Sequence, residues 1–89
     1  MIICAALRIK GTDTVLGGIR HGFIYSFLHD LRPEIGAASV EEGFLDNNGN
    51  FLNRFEAFKE ALKCGQLSAT TRICKQEAKE TELYSEDLW

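Results

Sequence analysis

Residues 41–62 constrain the fold more than any other stretch, because a strand, a tight turn, a second strand and a capped helix follow one another there with little room for alternatives. Asn48-Gly49 has the composition of a two-residue type I′ turn. Such a turn sets Asn47 opposite Asn50, Asp46 opposite Phe51, Leu45 opposite Leu52 and Phe44 opposite Asn53. Strand side chains alternate between faces. Leu45 and Leu52 are therefore predicted to enter a core, while Phe44, Asp46, Phe51 and Asn53 share the other side. Two phenyl rings beside a carboxylate and an amide make that side the first candidate binding surface. A helix then begins at Arg54. Asn53 suits its N-cap, and Glu56, three residues on, supplies the reciprocal half of a capping box. Phe55, Phe58 and Leu62 form its apolar stripe, and Gly65 suits a left-handed cap. Asn53 is thus claimed by two roles, cap and ligand contact.

Upstream, residues 2–10 alternate as a strand does, and residues 14–19 suit its partner across a Gly11-Thr12-Asp13 turn. On this hairpin Ile3, Ala5, Leu7, Ile9, Val15 and Ile19 are expected on one face, and Cys4, Arg8, Lys10 and Arg20 on the other. Gly17-Gly18 marks either a bulge or a close approach by another backbone or a ligand. Ile24, Phe27, Leu28 and Leu31 recur at helical spacing, and Arg32-Pro33 ends that helix. Arg20-His21-Gly22 stands at its entrance, where backbone N–H groups carry partial positive charge. Either the pair completes a site for an anion, or Arg20 is solvated and His21 fixes the turn. After Gly65, residues 66–75 are read as including a last strand and residues 75–82 as a solvated turn or short helix. The closing residues 83–89 hold two aromatics and two leucines, and are expected to dock on their own domain or a neighbouring subunit. Glu86 and Asp87 are either solvated or paired with Arg20, Arg54 or Arg72.

A chain of 89 residues, 45% of them apolar, implies one domain that buries roughly two-thirds of its unfolded surface. The pattern gives an α+β fold: two β-hairpins and two helices in ββαββα order, with an antiparallel sheet packed on the helices. A partner chain would help so small a domain, so a homodimer or larger assembly is expected. The net charge of −3 argues against a nucleic acid polymer as partner, since such binding draws on phosphate neutralisation. Residues 1–40 nevertheless carry four Lys/Arg against three acids, and residues 41–89 six against ten. That leaves the basic groups near the first hairpin for a small phosphate ligand. Three cysteines in no recognisable framework point to reduced thiols and a cytoplasmic address. The apolar opening meets Arg8 and Lys10 too soon for a signal peptide or a membrane span. His21, His29 and the cysteines lack the paired spacing of a zinc site. The carboxylates Asp13, Asp30, Glu42 and Asp46 offer only the pairs that any small acidic domain offers. Neither enzyme activity nor a metal or cofactor is expected.

Several segments together resemble a group of small phage-encoded proteins: Cys-Ala-Ala-Leu-Arg-Ile at residues 4–9, Gly-x-Arg-His-Gly at 18–22, the Gly-Phe-Leu and Asn-Phe-Leu-Asn-Arg-x-Glu-Ala runs within 43–57, Gly-Gln-Leu at 65–67 and Leu-Tyr-Ser-Glu-Asp-Leu at 83–88. The likeness spans most of the chain. Within that group it looks like the first type of Thoeris anti-defence protein, which sequesters a cyclic ADP-ribose isomer made by TIR-domain proteins. The resemblance implies a non-catalytic sponge for a cyclic nucleotide signal in the host cytoplasm, and it places Phe44, Asn53 and Arg54 within the shared motif. On that reading Phe44 or Phe51 stacks on the base, Asn53 and Asp46 meet ribose hydroxyls, and Arg20, His21 and Arg54 meet phosphate. The alternative is a small inhibitor that binds a host defence or CRISPR protein directly, through its acidic surface and aromatic tail.

Overall fold

A computed structural model describes residues 1–89 except the side chain of Ala37. The chain runs β1 (Ile2–Ile9), β2 (Val15–Gly18), α1 (His21–Leu31), a 3-10 turn (Ala37–Ser39), β3 (Val40–Asp46), β4 (Phe51–Asn53), α2 (Arg54–Lys63), α3 (Ala69–Ala78) and a second 3-10 turn (Ser85–Asp87). The fold is α+β, in the expected ββαββα order with a third helix added. The strands form one antiparallel sheet in the order β2-β1-β3-β4, so the first strands of the two hairpins lie side by side at its centre. The core gathers on one face of the sheet, where Ala5, Leu7, Val40 and Phe44 meet Ile24 and Leu28 of α1, Ala57, Phe58 and Ala61 of α2, and Leu67 and Leu83.

Both hairpins are shifted by one residue from the sequence-based register. In the second, Phe44 pairs with Leu52 and Leu45 with Phe51, and Asp46 N donates to the Asn50 carbonyl at 3.1 Å. The loop is therefore Asn47-Asn48-Gly49. A type I′ turn needs positive φ at both central residues, but among residues 46–50 only Gly49 has it, at +80°. The Asp46 carboxylate explains this choice. Its Oδ1 accepts the amides of Asn48 and Asn50, both at 2.9 Å, and draws the loop around itself. In the first hairpin Ile9 pairs with Thr14 and Arg8 with Val15. Val15 thus shares the face of Arg8, and Leu16 replaces it beside the core. An irregularity between Ile2 and Cys4 turns Ile3 out to solvent and Ile2 into the core. Ile19 is exposed as well.

The helices correct the sequence reading twice. On α1 the buried positions are His21, Ile24 and Leu28, with Tyr25 packed beside them, whereas Phe27 and Leu31 face solvent. Where a last strand was expected there is α3, capped by Ser68, whose Oγ accepts the Thr71 amide at 3.1 Å. The α2 caps are as expected. Asn53 Oδ1 accepts the Glu56 amide at 2.9 Å, and Glu56 Oε1 accepts the Asn53 amide at 3.1 Å. At the other end Gly65 takes a φ of +68°, and the Gln66 amide returns to the Ala61 carbonyl at 2.9 Å, satisfying a carbonyl that the helix leaves unpaired. The Gln66 side chain then holds Ile2 as a neighbouring strand would, accepting from its N–H at 2.7 Å and donating to its C=O at 2.8 Å.

Candidate functional site

The register places the two phenyl rings on opposite faces of the sheet. Phe44 is 0% exposed and belongs to the core. Its ring meets the His21 imidazole edge-on, with centroids 5.2 Å apart and planes at 81°, and faces Trp89 at 6.5 Å. His21 is buried too, with Nε2 2.7 Å from the Gly43 carbonyl oxygen. A carbonyl only accepts, so Nε2 carries the hydrogen. Arg20 donates to the backbone oxygen of Trp89. Arg20, His21 and Phe44 are thus gathered around the tail's end, and the mixed aromatic and polar face drawn from the type I′ register does not form.

The other candidates are dispersed, and their polar atoms are occupied. Phe51 lies on the far face, where its ring covers Gly43: a Cβ there would fall 2.5 Å from Phe51 Cζ. This is a ring filling the space of a strand glycine. The Arg8 guanidinium stacks 4.5 Å from the ring centroid and pairs with Glu41 at 2.8 Å. Asp46 is buried in the hairpin tip. Amide donation from Asn50, followed by that from Asn48, holds its carboxyl below the usual range. Asn53 serves as cap. Arg54 donates to the Leu83 carbonyl at 2.8 Å and to Glu42 at 3.0 Å, with its guanidinium 4.7 Å from the Tyr84 ring centroid. Burial, and then the Glu42 charge, push the nearby Tyr25 phenol up.

Sequence reasoning missed the residue that organises the C-terminal segment. Lys75 of α3 is buried, and its ammonium pairs with Asp87 at 2.8 Å and donates to the Glu82 carbonyl at 2.9 Å. It also lies 4.9 Å from the Tyr84 ring centroid. Burial draws its pKa down, but Asp87 and Glu80 outweigh that and leave it raised. Asp87 is therefore bound to Lys75 rather than to any of the arginines proposed from the sequence. Leu83, fully buried, completes the attachment, with its N–H donating to the Arg54 carbonyl at 3.0 Å. The closing residues dock on their own domain. A lysine within a charged stretch reads as solvated, and the local signal that could have marked residues 69–78 as a helix is Ser68 at the N-cap position.

Among the surface depressions, two have a charged side chain at an apolar wall. One, of ≈ 450 Å³, opens at the start of α1 between Arg20, Phe23, Ser26 and Glu86. The other, of ≈ 530 Å³, is an apolar groove between α2 and the tail, walled by Phe55, Phe58 and Leu62 with Lys59 and Thr81 at its margin. Cys4, Cys64 and Cys74 are free thiols, and burial pushes that of Cys4 up, away from the thiolate that reacts. Among the described residues no group of His, Cys, Asp and Glu is placed to hold a metal ion. No helix there is long and apolar enough to cross a membrane.

A family model described as the phage T4 y16D protein matches residues 1–89, the whole chain. The chain belongs to that family. It is accordingly a phage protein, as the resemblance implied, while the match lends nothing to the Thoeris branch. No curated protein and no solved structure matches the chain.

Proposed function

We propose that this phage protein works in the host cytoplasm, as a homo-oligomer and without catalysis, by binding a host protein such as a defence or CRISPR component. The observation that carries the reading is the groove between α2 and the tail. Phe55, Phe58 and Leu62 form one apolar wall along α2, with Phe55 and Leu62 exposed, so an apolar side chain of a partner would lie against a continuous apolar strip. A few such anchors supply most of the affinity of a protein interface. Lys59 at the margin favours an acidic residue beside the anchor. Affinity capture from host lysate tests this with the wild type beside the Phe55→Glu/Leu62→Glu double variant. A stoichiometric partner held by the first and lost by the second is expected. No partner, or equal capture by both, would overturn the reading.

Capture of a cyclic nucleotide is the second reading, favoured by the depression at the start of α1. There the Arg20 guanidinium, the exposed Phe23 ring and Ser26 offer a cation, a flat apolar surface and a hydroxyl within one opening. Binding would require Arg20 to exchange the Trp89 backbone oxygen for phosphate. Calorimetric titration with cyclic ADP-ribose isomers and cyclic oligonucleotides should then show uptake that Arg20→Ala abolishes, with the ligand recovered intact after heating. No heat at micromolar protein would dismiss it, and recovered hydrolysis products would indicate an enzyme instead.

A further inference from the structure

We infer that two copies of this chain join through the outer edge of β2 and the flank of α1 above it, making one continuous eight-stranded antiparallel sheet. The inference rests on the homo-oligomeric part of the proposed function and names its surface, which is separate from the α2 groove. β2 is an edge strand, paired only with β1. Hydrogen-bonded and non-bonded pairs alternate along an antiparallel ladder. Since the Ile9 amide donates to the Thr14 carbonyl at 3.0 Å, the Leu16 and Gly18 backbones face β1, and those of Val15 and Gly17 face outward with their N–H and C=O groups free. Natural edges are usually blunted by shortness, a charge, a proline or a covering element, and β2, at four residues, is short. Residues 14–19 contain neither a charged side chain nor a proline.

The helix above supplies an apolar surface continuous with this edge. Ile19, Phe23, Phe27 and Leu31 are 65%, 67%, 56% and 60% exposed. Phe23, Phe27 and Leu31, spaced by four, form one oblique stripe along α1, and Ile19 stands just before it, between β2 and the helix. Phe23 and Phe27 form one wall of a groove of ≈ 270 Å³ whose floor is Val15, Leu16, Gly17 and Gly18. The four exposed side chains present on the order of 500 Å² of apolar surface, at the upper end of what a monomer leaves uncovered. Adding the strand edge brings the face towards the roughly 800 Å² per partner of a stable interface. A second copy suits it for two reasons. An antiparallel edge turned about a two-fold axis is its own complement. The stripe is also uncharged, so the copy brings no like charge against it.

Sedimentation velocity of the full chain across a concentration series tests the pairing. The wild type is expected at twice the chain mass of 10.0 kDa. Phe27→Glu, which puts a charge into the stripe, and Val15→Pro, which removes an outward amide and none that faces β1, should both sediment as monomers while unfolding cooperatively. If Val15→Pro fails to fold, Phe23→Lys replaces it, because that side chain touches only the surface. Amide exchange gives a second reading: Val15 and Gly17 should be protected in the concentrated wild type and lose protection on dilution. A wild type that stays monomeric to ~100 µM would overturn the inference, including the case where the stripe instead holds a host protein released by Phe27→Glu. Variants that remain dimeric would overturn it too.

Discussion

Phe44 and Asp46 show how much rides on single side chains. From the sequence both belonged to an open binding face, yet one is core and the other is the hub of a turn. Phe44→Ala is therefore expected to lower unfolding stability by about 3–5 kcal/mol, the usual cost of emptying a phenyl site. A stability loss under about 1 kcal/mol would mean that the ring is not packed. Chemical denaturation of the variant beside the wild type measures it. Asp46 carries a pH signature. Its folded pKa lies below the unfolded value, so its contribution is present above an unfolded pKa of about 3.9 and is lost as pH falls through the lower folded value. The stability gap between wild type and Asp46→Asn should accordingly be present at pH 7 and close in acid. A gap that widens on acidification would contradict this.

Elements defined by local chemistry were legible, whereas those fixed by one residue's register were not. The capping box at Asn53 and Glu56 and the Gly65 cap follow from side-chain chemistry within a few residues, and the structure has both. Each hairpin was recognised as a hairpin, but the loop length depended on whether Asp46 or Asn48 governed the turn, and composition alone does not weigh them. A slip of one residue exchanges the faces of a strand, which is why Phe44 and Phe51 parted company. On α1 the stripe read from the sequence was rotated, because Phe27 and Leu31 were credited to a core that His21 and Tyr25 help to fill. α3 was missed since its one buried side chain is a lysine. Two substitutions probe these ends. Asn53→Ala should cost about 1 kcal/mol through the lost cap. Lys79, which closes α3 at a φ of +57°, should tolerate glycine with a gain of up to about 1 kcal/mol, because a side chain in that region is strained. Thermal melts of the two variants should move in opposite directions.

At the scale of the whole molecule, the C-terminal segment closes the structure over the helix side of the sheet. Leu83 enters the core, Arg54 grips its backbone, Lys75 grips Asp87, and Trp89 reaches the Phe44 ring. Lys75→Met would leave the Asp87 carboxylate with the Tyr84 amide but no counter-charge, and the Glu82 carbonyl without its ammonium donor, at a cost of roughly 3 kcal/mol. Because the pKa of Lys75 is raised on folding, its pairing is fully present below the unfolded value and fades only as strongly alkaline pH passes the folded one. That leaves the register of β3 on β4, which decides whether Phe44 belongs to this closed interior or to an open face. Non-hydrogen-bonded partners in an antiparallel pair bring their Cα atoms to about 4.5 Å, so their Hα protons give a strong nuclear Overhauser effect. An Hα cross-peak between Leu45 and Phe51 is the expected result, and one between Asp46 and Phe51 would contradict it.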